Sequence, residues 1–172
     1  TELEKQPVFC VDTETTSVDS HTAELVGIAC SWEKGKAFYV PVSDNKEEAT
    51  AVVAKFSKAL TNPKALKVGH NIKYDINVLR NYGVRLGQPM FDTMVAHYLL
   101  ESDNNRRSMD VLAETLLGYK PQSITELIGK KGKNQKSMRD VPVEQVVEYA
   151  GEDADITLAL YEYLKDELAK GK

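Results

Sequence analysis

The stretch that most constrains this chain is Val8-Phe9-Cys10-Val11-Asp12-Thr13-Glu14-Thr15-Thr16. Its β-branched and aromatic residues read as a buried strand over about 7–12. Asp12 and Glu14 follow at the strand's exit, spaced i, i+2. Extended backbone puts residues two apart on one face, so both carboxylates point the same way. Two acids that close repel, and the remedies are a shared proton or a divalent cation. A solvated pair at a strand end is the bland alternative; the apolar run leading into the pair argues against it.

At 172 residues the chain reads as a single domain, 1–172, long enough for a full core. Thr1 and the charged ends suggest a domain excised from a larger protein. No apolar run approaches the roughly 20 residues of a membrane span. The opening TELEKQ has neither the basic nor the apolar region of a secretory signal. The expectation is a cytoplasmic monomer with no membrane partner. Cys10 and Cys30 lie in separate apolar runs and read as small buried hydrophobes in a reducing compartment. A net charge of -4 does not advertise a nucleic-acid binder, but the charge is segregated. Lys130 to Arg139 holds five basic residues and no acid, whereas Glu144 to Ala169 holds eight acids against Lys165 alone. A basic segment beside an acidic helix suits a site that holds metal and receives a polyanion.

The rest of the chain supplies a meander and then helices. Glu24–Trp32 and Lys36–Val42 are β-rich runs joined by a hairpin at Glu33-Lys34-Gly35. Ser43-Asp44-Asn45 offers cap chemistry for a helix over 46–60, which Asn62-Pro63 stops. Ala65–Asn71 reads as a fourth strand, and Lys73–Tyr82 as a helix closed by Gly83. Met90-Phe91-Asp92 is a short strand whose end caps a helix carrying Met94, Val95, Tyr98 and Leu99. A loop over 101–107, a helix from Ser108 to Leu117, and a helical piece at Ile124–Ile128 come next. The segment GKKGKNQK that follows is expected to be exposed and mobile. The last helix starts at Pro142, with Val143, Val147, Ala150, Ala154, Leu158, Tyr161, Leu164 and Leu168 as its buried stripe. This order predicts an α/β fold: a ribonuclease H-like mixed sheet of about five strands, three antiparallel then parallel, covered by helices.

Three pieces could carry chemistry together. Asp12 and Glu14 are the first. Asp75, in Asn71-Ile72-Lys73-Tyr74-Asp75, follows the fourth strand in the first turn of a helix, where it could equally complement the helix dipole. The third is Tyr149-Ala150-Gly151-Glu152-Asp153-Ala154-Asp155. With Ala150 marking the buried face, Asp153 lies about 60° and Tyr149 about 100° from it on the same flank, whereas Glu152 and Asp155 lie about 140° or more away and should face water. Tyr149 and Asp153 are i, i+4 partners. Gly151 in mid-helix suggests close packing or access. Four carboxylates suit two Mg²⁺ or Mn²⁺ ions about 3.5–4 Å apart, the arrangement that clamps the attacking and leaving oxygens of a phosphoryl displacement.

Asp12-Thr-Glu14, Asp75 and Tyr149-x3-Asp153 resemble the three signature motifs of the DEDD superfamily of 3′-to-5′ exonucleases, in its tyrosine-bearing subclass. VFCVDTETTSVD, LKVGHNIKYDINVL, FDTMVAHYLL, GKKGKNQ and YAGEDADITLAL extend the likeness, over roughly 7–168, to the proofreading domains of bacterial DNA polymerase I, a family A polymerase. The resemblance implies a nucleoid-associated enzyme that removes nucleoside 5′-monophosphates from single-stranded or frayed 3′ ends of DNA, with a polymerase domain in the same full-length chain. It implies that Asp12, Glu14 and Asp153 hold the ion beside the attacking water and that Asp12 bridges to a second ion supported by Asp75. Tyr149 would orient the water. Thr15 and Val18 would sit against the terminal nucleotide, and Asn71, Tyr74, Arg106 and Ile124 along the strand. Relatives usually have Leu at the position of Val18 and often an aromatic at that of Ile124, so both apolar wedges are smaller here.

Other readings are a catalytically idle module that scaffolds a polymerase, an exoribonuclease of the same subclass, and a phosphatase with Asp12 as nucleophile. The last expects Asp where Glu14 stands and a helix where the meander follows. Of the histidines, His21 reads as loop surface, His97 as packed on its helix, and His70 as a neighbour of Asn71 that could reach substrate.

Overall fold

The first apolar run forms strand β1 (Val8–Thr15) in the structure, a computed structural model that describes residues 1–103 and 106–171. Extended backbone continues past 12 because β2 (Leu25–Glu33) pairs with β1 antiparallel from Cys10↔Ser31 to Glu14↔Gly27, with an irregularity before Thr15↔Leu25. The two acids therefore stand on a strand and not on the loop after it. β3 (Lys36–Pro41) completes the meander, and β4 (Leu66–Gly69) and β5 (Met90–Asp92) add parallel strands on the other side. The order is β3-β2-β1-β4-β5, the mixed five-stranded sheet predicted. β4 pairs with β1 only along Val8–Cys10, which leaves the β1 edge beyond Cys10 open.

Both sheet faces are covered, as the almost unbroken burial of β2 requires. On one face Phe9, Val11 and Leu25 pack with Val53 of α1 (Lys46–Ala54), Leu60 of α2 (Ser57–Leu60), and Val78 and Leu79 of α3 (Ile72–Asn81). On the other, Cys10, Ala29 and Val68 meet Ala150, Ala154 and Leu158 of the last helix. Small residues on both sides of that seam let the helix backbone approach the sheet closely. Cys10 and Cys30 are free and buried. α4 (Thr93–Leu100) and α5 (Met109–Leu112) cover the outer flank of the last helix through Ala96 and Leu112. Among the described residues no helix is long and apolar enough to cross a membrane.

Several elements differ from expectation. The helix over 46–60 is two helices, because Lys55 N and Phe56 N reach back three residues, to Val52 O and Val53 O, and tighten the backbone between them. The helix from Ser108 is α only to Leu112; Ala113–Leu117 widens into a π turn that left-handed Gly118 ends. The loop over 101–107 is irregular at 101–103 and 106–107; Asn104 and Asn105 lie outside the described residues. α6 (Ile124–Ile128) forms as predicted, and 129–136 is exposed.

The last helix, α7 (Val143–Ala169), starts one residue later than expected, with Pro142 as its cap. Val143 and Val147 are exposed, and Val146 is buried in their place. Its first turn rests on Met138, Val141 and Val26, which selects Val146 and Tyr149 as the inner face. Further along, Ile156 and Leu160 are buried against the α4–α5 flank, so the helix carries two apolar faces where a single stripe is expected. A Cβ at Gly151 would meet the Ala37 Cβ at 3.5 Å, an ordinary contact, so packing there does not require glycine. The helix phase predicts that Val146→Ala costs about 1.5–3 kcal/mol in denaturant melts, whereas Val147→Ala stays within about 0.5 kcal/mol of the parent.

Candidate active site

Asp12 and Glu14 share the β1 face of Cys10, which faces α7, and α7 brings Asp153 to them from the other side of the seam. One carboxylate oxygen from each of the three lies within 4.8 Å of the others. Glu14 and Asp153 are buried and Asp12 is partly so. Among the described residues no lysine or arginine forms an ion pair with Asp12, Glu14, Asp75 or Asp153.

The electrostatic consequence is a set of acids that resist ionisation. Burial pushes Asp12 up to about 7. Burial first, then the Asp12 and Asp153 charges, hold Glu14 well above the usual carboxylate range. Asp153 is pushed up to about 9 by burial and by Asp12, and a hydrogen bond from Tyr149 works in the opposite direction. Burial together with Asp153 and Glu14 raises Tyr149 far above the ordinary phenol range, so its hydroxyl keeps its proton. The i, i+4 pair therefore meets over one spot on the inner flank of α7.

Asp75 stands apart from the three converging acids. Its Oδ1 accepts hydrogen bonds from Thr13 N at 3.0 Å and Thr13 Oγ1 at 2.6 Å, at the open edge of β1. Thr13 lies between Asp12 and Glu14 and points to the opposite face of the sheet, so the bond fastens α3 to the backbone that carries both acids. Burial and then the Asp12 charge raise Asp75 well above its ordinary value, and the Thr13 bonds oppose them. Asp92 performs a second fastening. It caps α4 by accepting from Met94 N and Val95 N, and it also accepts from Asn71 N and Ile72 N at the start of α3. Asn71 itself is left-handed, with φ 59°, at the junction.

A cleft of about 630 Å³ opens from the acids. Thr15, Thr16, Ser17 and Val18 after the acids line it, with Asn71 and Tyr74 at the start of α3, and Ile124, Ile128, Gln135, Lys136 and Met138 from α6 and the segment after it. Five of the six predicted substrate contacts thus line it; Arg106, exposed on the loop after α4, does not. The Tyr74 hydroxyl donates to Ser17 O, and the Thr15 hydroxyl, within reach of both, donates to Ser17 O or to Tyr74 Oη, which fixes the turn after β1. Val18 at 97% exposure and Ile124 at 40% are apolar side chains turned to solvent at the cleft's mouth. The contributions of Ser17, Gln135, Lys136 and Met138 are absent from the motif reading. The basic run Lys130–Arg139 was the available signal, and Lys136 is the cation it brings to the cleft.

His70 bonds Thr93 Oγ1 and Arg107 O, so it ties loops together beside the cleft. His97 is buried near Glu101. Glu152 and Asp155, expected to face water, anchor neighbouring segments: Glu152 accepts from the Tyr119 hydroxyl and Gln122 N, and Asp155 from Gly35 N.

A family model described as 3′-5′ exonuclease matches residues 1–169. DNA polymerase I of Pseudomonas aeruginosa is 37% identical over 96% of the chain, which spans 19% of that protein's length. Ribonuclease D of a Shewanella species is 28% identical over 97% of the chain and 39% of its own length. Among solved structures, Brucella melitensis NrnC with bound Mg²⁺ has a TM-score of 0.80 at 21% identity, covering 99% of this chain and 77% of that one. At that identity the likeness is one of fold.

The raised acids give a pH signature. A carboxyl that holds its proton more tightly folded than unfolded favours the fold at low pH, and that contribution is lost as pH rises through the folded value. In chelator, the melting temperature should therefore fall by about 3 °C or more between pH 5 and pH 9 relative to Asp12→Asn. Millimolar Mn²⁺ should remove the difference, and a flat profile in chelator would contradict this picture.

Proposed function

Because the chain belongs to the 3′-5′ exonuclease family carried by DNA polymerase I, we propose that it hydrolyses the terminal phosphodiester of single-stranded or frayed 3′ ends of DNA. The observation that carries this reading is the convergence of the Asp12, Glu14 and Asp153 oxygens within 4.8 Å with no basic partner among the described residues. An all-oxygen, multiply acidic donor set of this kind fits Mg²⁺ or Mn²⁺.

Asp12, Glu14 and Asp153 would hold one ion, and Asp12 with Asp75 a second. Bound there, the ions would supply Lewis-acid activation of water and neutralise charge at the scissile phosphate. Tyr149, kept protonated by burial and donating to Asp153, accepts a hydrogen bond from the attacking water and so orients it. The water oxygen bonds to phosphorus as the bond to the 3′ oxygen breaks. That oxygen takes up a proton, which leaves a shortened strand with a free 3′ hydroxyl and a nucleoside 5′-monophosphate. Lys136 meets the backbone phosphate, Val18 and Ile124 flank the terminal base, and Asn71, Tyr74 and Thr15 line its path. A polymerase domain elsewhere in a full-length protein would deliver the frayed end, in the bacterial cytoplasm, and this domain would act as a monomer.

The similarity to ribonuclease D favours a second reading, an exoribonuclease using the same acids. 5′-labelled deoxy- and ribo-oligonucleotides distinguish them. With Mg²⁺ or Mn²⁺ the protein should produce a ladder shortened from the 3′ end, faster on single-stranded DNA than on RNA or blunt duplex, and chelator should abolish it. Asp12→Ala should reduce the rate by about 100-fold or more. An unchanged rate in Asp12→Ala would remove the proposal, and faster RNA cleavage would favour the second reading.

A further inference from the structure

Tyr39 on β3 carries a buried hydroxyl with no hydrogen-bond partner among the described residues. Buried polar groups in folded proteins are almost always paired, so an orphan of this kind calls for a partner that another state supplies. The ring spans the seam under α7, packed on both the Ala29–Ala150 cluster and the Val26–Tyr149 cluster.

The sheet register says what lies nearby. Tyr39 is opposite Ala29 on β2, and Gly27, two residues from Ala29 on the same face, is opposite Glu14 on β1. A Cβ built on Gly27 would fall 2.1 Å from the Tyr39 Oη. The hydroxyl thus occupies the place of the side chain that Gly27 lacks. Directly opposed side chains of an antiparallel pair stand about 4.5–5.5 Å apart at Cβ, and the Glu14 carboxylate extends two bonds beyond its own Cβ.

We propose that Tyr39 is a positioning residue for Glu14: its hydroxyl donates to the Glu14 carboxylate when that side chain turns to hold a divalent cation, through the gap left by Gly27. The proposal rests on the reading of Asp12, Glu14 and Asp153 as a metal site. Among the described residues the Glu14 carboxylate accepts no hydrogen bond, whereas Asp153 has Tyr149 and Asp75 has Thr13. A ligating carboxylate without such a support is free to rotate, and groups that orient ligands contribute strongly to metal affinity. Arg139, whose charge acts on the phenol, commits its terminal nitrogens to Val42 O and Leu25 O, and as a pure donor it offers the hydroxyl no acceptor. Burial and the Glu14 charge both keep the phenol protonated, and so a donor.

Tyr39→Phe keeps the ring and deletes the donor. In Mn²⁺ titrations followed by calorimetry and by electron paramagnetic resonance, it should weaken binding about 10-fold, while its melting temperature in chelator equals or exceeds that of the parent. In a Glu14→Gln background the same substitution should change Mn²⁺ affinity less than twofold. Three results overturn the proposal: Tyr39→Phe binding Mn²⁺ within twofold of the parent, an equal loss with and without Glu14, or a lower melting temperature in chelator. The last would mean that the hydroxyl has a structural role in the metal-free fold. If Glu14→Gln alone binds Mn²⁺ like the parent, the metal reading itself fails; if Glu14→Gln weakens binding and Tyr39→Phe does not, only the role of Tyr39 fails.

Discussion

Mutual repulsion among buried carboxylates is the constraint on which the rest of the structure turns. Asp12, Glu14 and Asp153 converge within 4.8 Å, and among the described residues no basic side chain forms an ion pair with them. Left to themselves, acids in such a cluster keep protons that they would release in water. The fold tolerates this because each acid sits on an element whose position is decided by apolar packing. The β1–β2 ladder fixes the first two, and the alanine seam of α7 fixes the third. The stability of the sheet-helix interface is what holds the acids together, and a bound cation would relieve what the packing imposes.

Around that cluster, polar side chains fasten the elements in register. Thr13 gives both its amide and its hydroxyl to Asp75, which ties α3 to the strand that bears the acids. Asp92 accepts amides from the starts of both α3 and α4. Tyr74 closes the turn after β1, so one helix both braces the acids and lines the cleft. The Thr13 bonds to Asp75 are buried and those from Asn71 N and Ile72 N to Asp92 partly so, and removing either acid would leave backbone amides there without an acceptor.

Much of this was legible from local chemistry. Period-2 and period-3.6 patterns located the strands and helices, and the caps at Asn45, Asp92 and Ser108 and the stops at Gly83 and Gly118 fell where turn chemistry puts them. The helical angle alone separated Asp153 from Glu152 and Asp155. What escaped was decided by partners distant in sequence. β1 extends through Glu14 because β2 runs beside it, and α7 buries Val146 and not Val147 because Met138 and Val141 lie beneath its first turn. Thr13 looks like a spacer between two acids until α3 arrives on the other face. Gln135, Lys136 and Met138 reach the cleft from the segment between α6 and α7, whose composition announced charge but not location.

The central claim, that the acids at the end of β1 form a divalent-cation site, is met most directly by anomalous diffraction from crystals soaked in Mn²⁺. One strong peak is expected between Asp12, Glu14 and Asp153, and a second on the Asp12 side toward Asp75. Manganese bound only elsewhere on the surface, with the three carboxylates in place and no peak among them, would contradict it.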